Sequence, residues 1–184
     1  MTDWNASADL MAKVRALIRP VQTDEPLRQV LMHDFPRDCS NLPISGGWGY
    51  TQVDAVMFVR ELFPMPARLD FVPLEHHIAQ KIIYEELIIF QPNDSRFSGI
   101  ELQRKDQKMI ADGEREYDVL NLSITCWSDW HWNQLKQEWK DNDLGMRPGF
   151  DREAHAAKHE ASQVKYERQL WFDITEVCDR GRRP

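Results

Sequence analysis

One stretch near the middle of the chain, residues 120–126, alternates between apolar and polar side chains as Leu-Asn-Leu-Ser-Ile-Thr-Cys. An alternation with a period of two predicts a β-strand that buries one face and solvates the other, which is typical of antiparallel sheets. The dipeptide Asp112-Gly113 precedes this stretch and is a strong signal for a tight turn. The chain is therefore constrained to pair antiparallel strands around this turn.

Further strands are predicted on both sides of the turn. Residues 74–90 predict a helix or an irregular strand that leads into a buried strand at Leu87-Ile88-Ile89-Phe90. Residues 100–103 alternate between apolar and polar side chains, so residues 87–126 are interpreted as an antiparallel meander. Residues 170–175 alternate as well and predict a final strand near the C-terminus.

Helical spacing occurs toward both ends of the chain. Residues 7–19 predict a helix that Ser7 caps and Pro20 ends, and a second short helix is predicted after Asp24. Residues 151–168 predict another helix with Asp151 as its cap. Small side chains on this helix favour close packing against a flat surface such as a sheet; its apolar stripe consists of Ala154, Ala157, Ala161 and Val164.

A further helix is predicted to begin after Ser128, which is a good N-cap. Trp127 and Trp132 stand at the two positions of a hydrophobic staple around that cap, and Leu135 and Trp139 continue the buried stripe. Asn142 and Gly145 are typical of the helix end. Strands clustered in mid-chain with helices at both ends predict an α+β fold, with helices packed on one face of an antiparallel sheet.

The length of 184 residues and the apolar fraction of 42% are those of an ordinary globular domain. A core of this size needs no disulfides or metal to hold it together. We therefore interpret residues 1–184 as a single α+β domain. Residues 1–40 are predicted to be a helical N-terminal extension, and residues 176–184 a frayed tail.

The formal net charge is −7, from 23 basic and 30 acidic residues. An acidic surface repels phosphate backbones, so nucleic acid is excluded as a general partner, whereas a basic protein partner is favoured. The three cysteines are widely spaced and predict reduced thiols. The chain shows no signal-peptide pattern and no apolar run long enough for a membrane span, which predicts a cytoplasmic protein without a membrane partner.

A glycine-rich loop, Ser-Gly-Gly-Trp-Gly-Tyr over residues 45–50, is the first candidate binding site. Its backbone N–H groups are able to face an anion, but neither nucleotide-binding fingerprint is present. One interpretation is a structural element in which Gly46-Gly47 forms a two-residue hairpin turn. In the other, the loop binds a ligand, with Trp48 and Tyr50 as stacking faces and Asp54 as a carboxylate.

The histidines are the second set of candidates. His155 and His159 lie one helical turn apart and are able to share a metal, although neither metalloprotease motif is present. His77 and Glu85 are two turns apart on a predicted helix and are a possible acid–base pair. In both cases the alternative is a solvated helix face. No cofactor is predicted.

Trp130 is the third candidate, because it points away from Trp132 on the predicted helix. A tryptophan on the outer face marks either a second packing surface or a partner site.

Two segments give the chain a family resemblance. They are Leu42-Pro-Ile-Ser-Gly-Gly-Trp-Gly-Tyr-Thr-Gln-Val-Asp54-Ala, and Ile83-Tyr-Glu-Glu-Leu-Ile-Ile-Phe-Gln-Pro92 followed by Arg96-Phe-Ser-Gly-Ile100. With these segments the chain resembles a group of small bacterial proteins that carry an SGGWGY-type loop and a YEELI-type strand. The resemblance covers about residues 42–140. It implies a bacterial origin and a compact α+β domain, implies no activity, and draws attention to the glycine loop and to Glu85 and Glu86.

Three functions remain open at this point. The favoured one is a non-enzymatic protein-binding module of the immunity or accessory type, because the chain is acidic, has seven tryptophans and shows no catalytic pattern. The second is a small metal-dependent hydrolase, which requires at least three metal-binding side chains to converge from the carboxylates and from His76, His77, His131, His155 and His159. The third is a homo-oligomeric module that uses the Ala-faced helix or an uncovered sheet edge.

Overall fold

The fold is described from a computed structural model, which covers residues 13–63 and 71–178. Residues 13–16 are helical, and the elements that follow are labelled in chain order. The helices are α1 (Leu27–Asp34), α2 (Val72–Tyr84), α3 (Asp129–Asp141) and α4 (Arg152–Ala161), with a short 3₁₀ helix at Arg60–Leu62. The strands are β1 (Ile44–Gly46), β2 (Val56–Phe58), β3 (Phe97–Asp112), β4 (Arg115–Ser128) and β5 (Val164–Asp173). The α+β class predicted from the sequence is confirmed.

The five strands form one mixed sheet in the order β1-β2-β5-β4-β3. β1 and β2 pair antiparallel, and β2 and β5 pair parallel. The Ile174 N–H donates to the Glu116 carbonyl (2.9 Å), and the Cys126 thiol contacts the Val164 carbonyl (3.9 Å). The start of β4 therefore lies beside the end of β5, which makes that pair antiparallel. The antiparallel hairpin predicted around Asp112-Gly113 is present, and Gly113 has a positive φ of 59°.

The strand predicted at residues 87–90 is wrong, so the meander is reduced to the β3–β4 hairpin. Residues Glu85–Ile89 instead extend α2 as a π-helical turn, closed by the bond from the Phe90 N–H to the Glu85 carbonyl (2.9 Å). The two isoleucines favour a strand locally, but extending an existing helix requires no new nucleation. Of the four apolar residues in the run, the structure buries only Leu87.

The capping predictions are confirmed at α3 and α4. The Ser128 hydroxyl accepts from the His131 N–H (3.4 Å), and the Asp151 carboxylate accepts from the Ala154 N–H (2.9 Å). The rings of Trp127 and Trp132 lie 5.2 Å apart, as the staple requires. α4 ends at Ala161 rather than at residue 168, because the chain enters β5 at Val164.

The predicted packing of the alanine stripe is wrong. Ala154, Ala157 and Ala161 are exposed, and α4 buries none of its residues fully, whereas Val164, the fourth residue of the stripe, is buried at the start of β5. The half-buried positions of this helix are His155, Lys158 and His159. The aromatic side chains that face α4 contact the imidazole rings, so these rings, rather than the small apolar side chains, form the inner face. Packing of all helices on one face of the sheet stays a prediction.

The chain divides into two compact units. Of the described residues, unit 1 takes 13–19, 84–103 and 123–167, and unit 2 takes 20–63, 71–83, 104–122 and 168–178. In unit 1 the buried side chains centre on Trp127, Phe97 and Leu135. In unit 2 Phe58 stacks on Phe172, with ring centroids 6.0 Å apart and nearly parallel planes. The buried face of α1 in unit 2 consists of Leu27, Val30 and Leu31, as its spacing predicts.

Several terminal predictions lie partly outside the described residues. This applies to residues 7–12 of the first predicted helix, and to residues 179–184 of the predicted tail. Residues 176–178 are packed: Val177 is buried, and the Glu176 carboxylate accepts from the Arg60 N–H (3.1 Å). Among the helices that the structure describes, none is both long and apolar enough to cross a bilayer.

Two glycines with nearly the same backbone conformation give a matched test of the packing. Gly99 (φ 62°) lies where a Cβ atom would come within 2.9 Å of the Trp132 and Trp127 rings, whereas a Cβ atom at Gly113 (φ 59°) would meet nothing within 4 Å. Left-handed backbone alone costs an alanine about 1–2 kcal/mol, and overpacking adds about 1–3 kcal/mol. We expect Gly99→Ala to lower the free energy of unfolding more than Gly113→Ala does, measured by urea denaturation. Equal losses would contradict the close approach at Gly99.

Candidate functional site

The glycine loop is held by its own backbone and by Asp54, and Gly46-Gly47 is not a two-residue hairpin turn. β1 ends at Gly46 and pairs with Val56, so a nine-residue loop, residues 47–55, joins the two strands. The Gly47 N–H donates to the Ala55 carbonyl (3.1 Å), and the Gly49 N–H donates to the Asp54 carbonyl (2.6 Å). The Asp54 carboxylate accepts from the Trp48 N–H (3.1 Å). This carboxylate is therefore occupied in closing the loop.

The two aromatic residues of this loop face the protein rather than open solvent. Trp48 is buried, its ring lies parallel to that of Tyr50 with centroids 6.4 Å apart, and its Nε1 donates to the Glu25 carbonyl (3.3 Å). The half-buried Tyr50 accepts from the Val21 N–H (3.1 Å) and lies beneath the Arg168 guanidinium. A ligand-binding role for the loop stays a prediction.

Trp130 is exposed over 55% of its surface. Its ring meets the edge of His131 with centroids 4.7 Å apart. The pKa of His131 lies below its ordinary value, because burial disfavours the charged imidazolium. Trp130 thus presents an apolar ring to solvent next to a neutral side chain.

One interpretation of the sequence places His155 and His159 on a solvated helix face, and this interpretation is wrong. The His155 ring packs on Trp139 (centroids 5.2 Å apart) and on Phe150 (5.6 Å). The His159 ring packs on Trp127 (4.4 Å). The i, i+4 spacing therefore aligns two imidazoles along one aromatic surface, where they act as flat packing partners.

The convergence of ligands that the hydrolase hypothesis requires is not found. In the part of the chain that the structure describes, no three His, Cys, Asp or Glu side chains form a group that could hold a metal ion. His76 lies near the Arg104 guanidinium (3.5 Å), and His77 Nε2 lies 3.9 Å from the Cys39 sulfur. Glu85 and Glu86 are buried, and the Tyr166 hydroxyl donates to Glu86 (3.4 Å).

The site that stands out in unit 1 is a cavity of about 200 Å³ between α3 and α4, here called the α3–α4 pocket. Apolar and aromatic side chains dominate its lining, which consists of Trp132, Leu135, Lys136, Trp139, Lys140, Leu144, His155 and His159. Trp132 also lines a second cavity of about 480 Å³ beside residues 97–101 of β3.

A charged network braces the wall of this pocket. Glu138 accepts from the Lys158 ammonium (2.6 Å) and lies 3.1 Å from His155 Nδ1. Burial acts to raise the pKa of Glu138, but the hydrogen bonds from Lys158 and His155 outweigh it and hold this pKa below its ordinary value. Glu138 is therefore ionised at neutral pH and fixes the orientation of the His155 ring.

The turn after α3 places a leucine at the pocket in an unfavourable backbone conformation. Asp143 and Leu144 both have a φ of 54°, and Gly145 follows with a φ of 78°. Gly145 is required here because a Cβ atom would collide with the Trp139 ring. Leu144 itself is 57% exposed. A bulky residue in the left-handed region is strained, and burial repays little of that strain here.

This pocket is not evident from the sequence pattern, in which Asn142 and Gly145 mark the end of the helix and Leu144 has no role. The available signal was an isolated leucine inside a polar turn, Asn-Asp-Leu-Gly over residues 142–145. This signal is weak, because single exposed apolar residues are common on protein surfaces.

Unit 2 contains a pair of buried carboxyl groups that is a separate feature. Glu75 and Asp118 are 0% and 4% exposed, and the Gln107 amide bridges them at 3.0 Å and 2.6 Å. Burial, together with the charge of Asp118, raises the pKa of Glu75 to about 9. Glu75 is therefore protonated at neutral pH, and its neutral carboxyl avoids repulsion with the Asp118 carboxylate. The pair lies outside the cavities described above, and we assign it to stability.

This pair makes a prediction about pH. Glu75 binds its proton more tightly in the folded state than in the unfolded state, so its stabilising effect is complete below its unfolded pKa and falls as the pH rises toward 9. Glu75→Gln removes this dependence, because an amide stays neutral. We expect the free energy of unfolding of the variant to exceed that of the wild type by about 1 kcal/mol or more near pH 8, as measured by urea denaturation. The difference should be smaller near pH 5. Two results would contradict this prediction. The free energies of unfolding of the two proteins would depend on pH in the same way, or the exposed-site control Glu101→Gln would also remove the pH dependence.

The α3–α4 pocket is thus an apolar, aromatic cavity that His155 and His159 also line, with a strained leucine at its edge. No family model, no curated protein and no solved structure matches this chain significantly.

Proposed function

We propose that this chain is a non-enzymatic protein-binding module, and that the α3–α4 pocket accepts one bulky apolar side chain of the partner. The observation that carries the proposal is the exposed Leu144, held in left-handed backbone at an apolar cavity. An immunity or accessory role toward another bacterial protein is one form of this proposal.

The size of the pocket supports a protein partner over a small ligand. Sites for drug-sized molecules have volumes of about 300–1,000 Å³. The α3–α4 pocket, at about 200 Å³, is nearer to the volume of a single large side chain. Protein interfaces concentrate their binding energy in a few such anchors, usually aromatic, that fill desolvated pockets. Two tryptophan rings in the lining offer an anchor a large flat contact area.

The strain at Leu144 supports the same conclusion. A left-handed conformation costs a leucine about 1–2 kcal/mol relative to glycine. Asparagine tolerates this conformation better, so the sequence retains a costly residue at a position where the free protein gains little from it. Such a cost is typical of functional sites, where a residue is suited to a ligand rather than to stability.

The pocket is also preorganised. The contacts of Glu138 with Lys158 and His155 connect α3 to α4, and Trp139 is held between Gly145 and the His155 ring. A wall that is already ordered loses little side-chain entropy on binding. The geometry therefore favours recognition over a mobile, inducible site.

Peptide selection tests the proposal. A phage library of random peptides is selected on the wild-type protein, and each binder is measured against Leu144→Asn. We expect the binders to share one bulky apolar residue and to lose about tenfold or more in affinity for the variant, because an interface anchor is commonly worth more than 1 kcal/mol. The variant itself should be at least as stable as the wild type in thermal unfolding, because the substitution relieves strain.

Leu62→Asn is the matched control. Leu62 is also exposed, at 46%, but lies in unit 2 in the short 3₁₀ helix. Peptide affinity should be unchanged by this substitution. Binders that treat both variants alike, or a Leu144→Asn variant that is strongly destabilised, would count against a binding role for Leu144.

A homo-oligomer is the second candidate, because the structure leaves Ala154, Ala157 and Ala161 exposed on α4. A helix face of small residues allows close approach of a second helix. Sedimentation velocity over a range of protein concentrations separates this candidate from the first, since only self-association makes the mass of the purified protein depend on concentration.

A further inference from the structure

The charges at the α3–α4 pocket differ in sign from the net charge of the chain. Lys136 and Lys140 both line the pocket, and both are exposed. They stand four residues apart on α3, so their ammonium groups lie on the same face of the helix. Across the residues that the structure describes, neither forms an ion pair or a side-chain hydrogen bond.

Two acidic side chains of α3 have hydrogen-bond partners other than Lys136 and Lys140. Both Glu138 oxygens face Lys158 and His155, and Asp141 accepts from the Gln137 amide (2.7 Å). The turn that follows α3 carries the exposed Asp143, while the Arg152 guanidinium of α4 donates to the Gly145 carbonyl (2.6 Å) and adds a cation close to the pocket. The lining residues themselves include two lysines and no carboxylate.

We infer that the partner segment is acidic: one bulky apolar side chain enters the α3–α4 pocket, and flanking carboxylates pair with Lys136 and Lys140. This inference rests on the proposed function and adds to it the charge of the partner. It reverses the expectation drawn from the net charge of −7, which favours a basic partner.

The charges at the pocket determine the preferred charge of the partner, because screening limits the range of the other surface charges. At physiological ionic strength the Debye length is about 8 Å, so distant surface carboxylates contribute little at the pocket. Net charge affects the rate of encounter, whereas the groups that touch the ligand set its preferred sign. Two lysines that have no ion pair within the described part of the chain lie beside an apolar cavity, and they match an anchor that has carboxylates on both sides.

Three capped peptides test the inference against the full-length protein. Their sequences are Glu-Glu-Phe-Glu-Glu, Glu-Glu-Ala-Glu-Glu and Lys-Lys-Phe-Lys-Lys. Binding is followed by NMR through the indole N–H signals of Trp132 and Trp139, which line the pocket. We expect the first peptide to bind about tenfold or more tightly than the second, because only the first has an anchor. It should also bind about fivefold or more tightly than the third.

A charge-reversal pair locates the effect. Lys136→Glu combined with Lys140→Glu should lower the affinity for the acidic phenylalanine peptide by about tenfold, because two surface charges of modest individual effect are reversed. The control is Lys108→Glu combined with Lys165→Glu, which changes the net charge equally at two exposed lysines outside the pocket. The control pair should leave the affinity within about twofold of the wild type, since distant charges are screened.

Each contrary result has its own meaning. If the lysine peptide binds the pocket as tightly as the acidic one, or if both charge-reversal pairs act alike, the inference is overturned while the proposed function stands. If neither phenylalanine peptide shifts the two indole signals, both the inference and the proposed function fail. If free phenylacetate shifts them while the peptides do not, the pocket is a small-molecule site, and both are overturned.

Discussion

The packing of the Trp127 indole is the interaction on which unit 1 depends. Its Nε1 donates to the His159 carbonyl (2.9 Å), and its ring contacts those of Trp132 and His159. Gly99 brings β3 against the same rings because it has no Cβ atom. One buried aromatic side chain thereby joins β3, β4, α3 and α4. A hydrogen-bonded indole fixes the orientation of the ring as well as burying its area, so Trp127 holds the C-terminal end of α4 beside α3.

That orientation explains why α4 turns its histidines inward. Once the His159 backbone is tied to Trp127, the residue one turn earlier faces Trp139 and Phe150, and His155 occupies that position. The alanines are left on the outer face. An i, i+4 pair of histidines is the spacing of a metal site, but the same spacing aligns two flat rings against an aromatic wall. The gap left between α3 and α4 is the pocket, so the proposed binding site results from the way in which the two helices pack.

The local features of the fold were predictable from short segments of sequence. The Asp112-Gly113 turn, the Ser128 and Asp151 caps and the Trp127–Trp132 staple each depend on residues within a few positions of one another. The failures share a different cause. The run at residues 87–90 has the composition of a strand, and Gly46-Gly47 has that of a tight turn. The conformation of each segment depends on its structural neighbours. Residues 87–89 continue the preceding helix, and Gly46 ends a strand that pairs with β2.

The sequence by itself determined the α+β class, the hairpin and the ends of α3, because periodicity and capping act over short distances along the chain. Only the tertiary structure decided which face of α4 is buried and whether the Asp54 carboxylate is occupied. It also decided that Glu75 and Asp118 meet, and that Leu144 stands exposed beside two lysines and an aromatic cavity. Some of these features are contacts between residues that are distant in sequence. The others depend on which neighbouring residues bury a side chain. The pKa of a carboxyl and the exposure of a leucine are set by that surrounding protein, which no single segment contains.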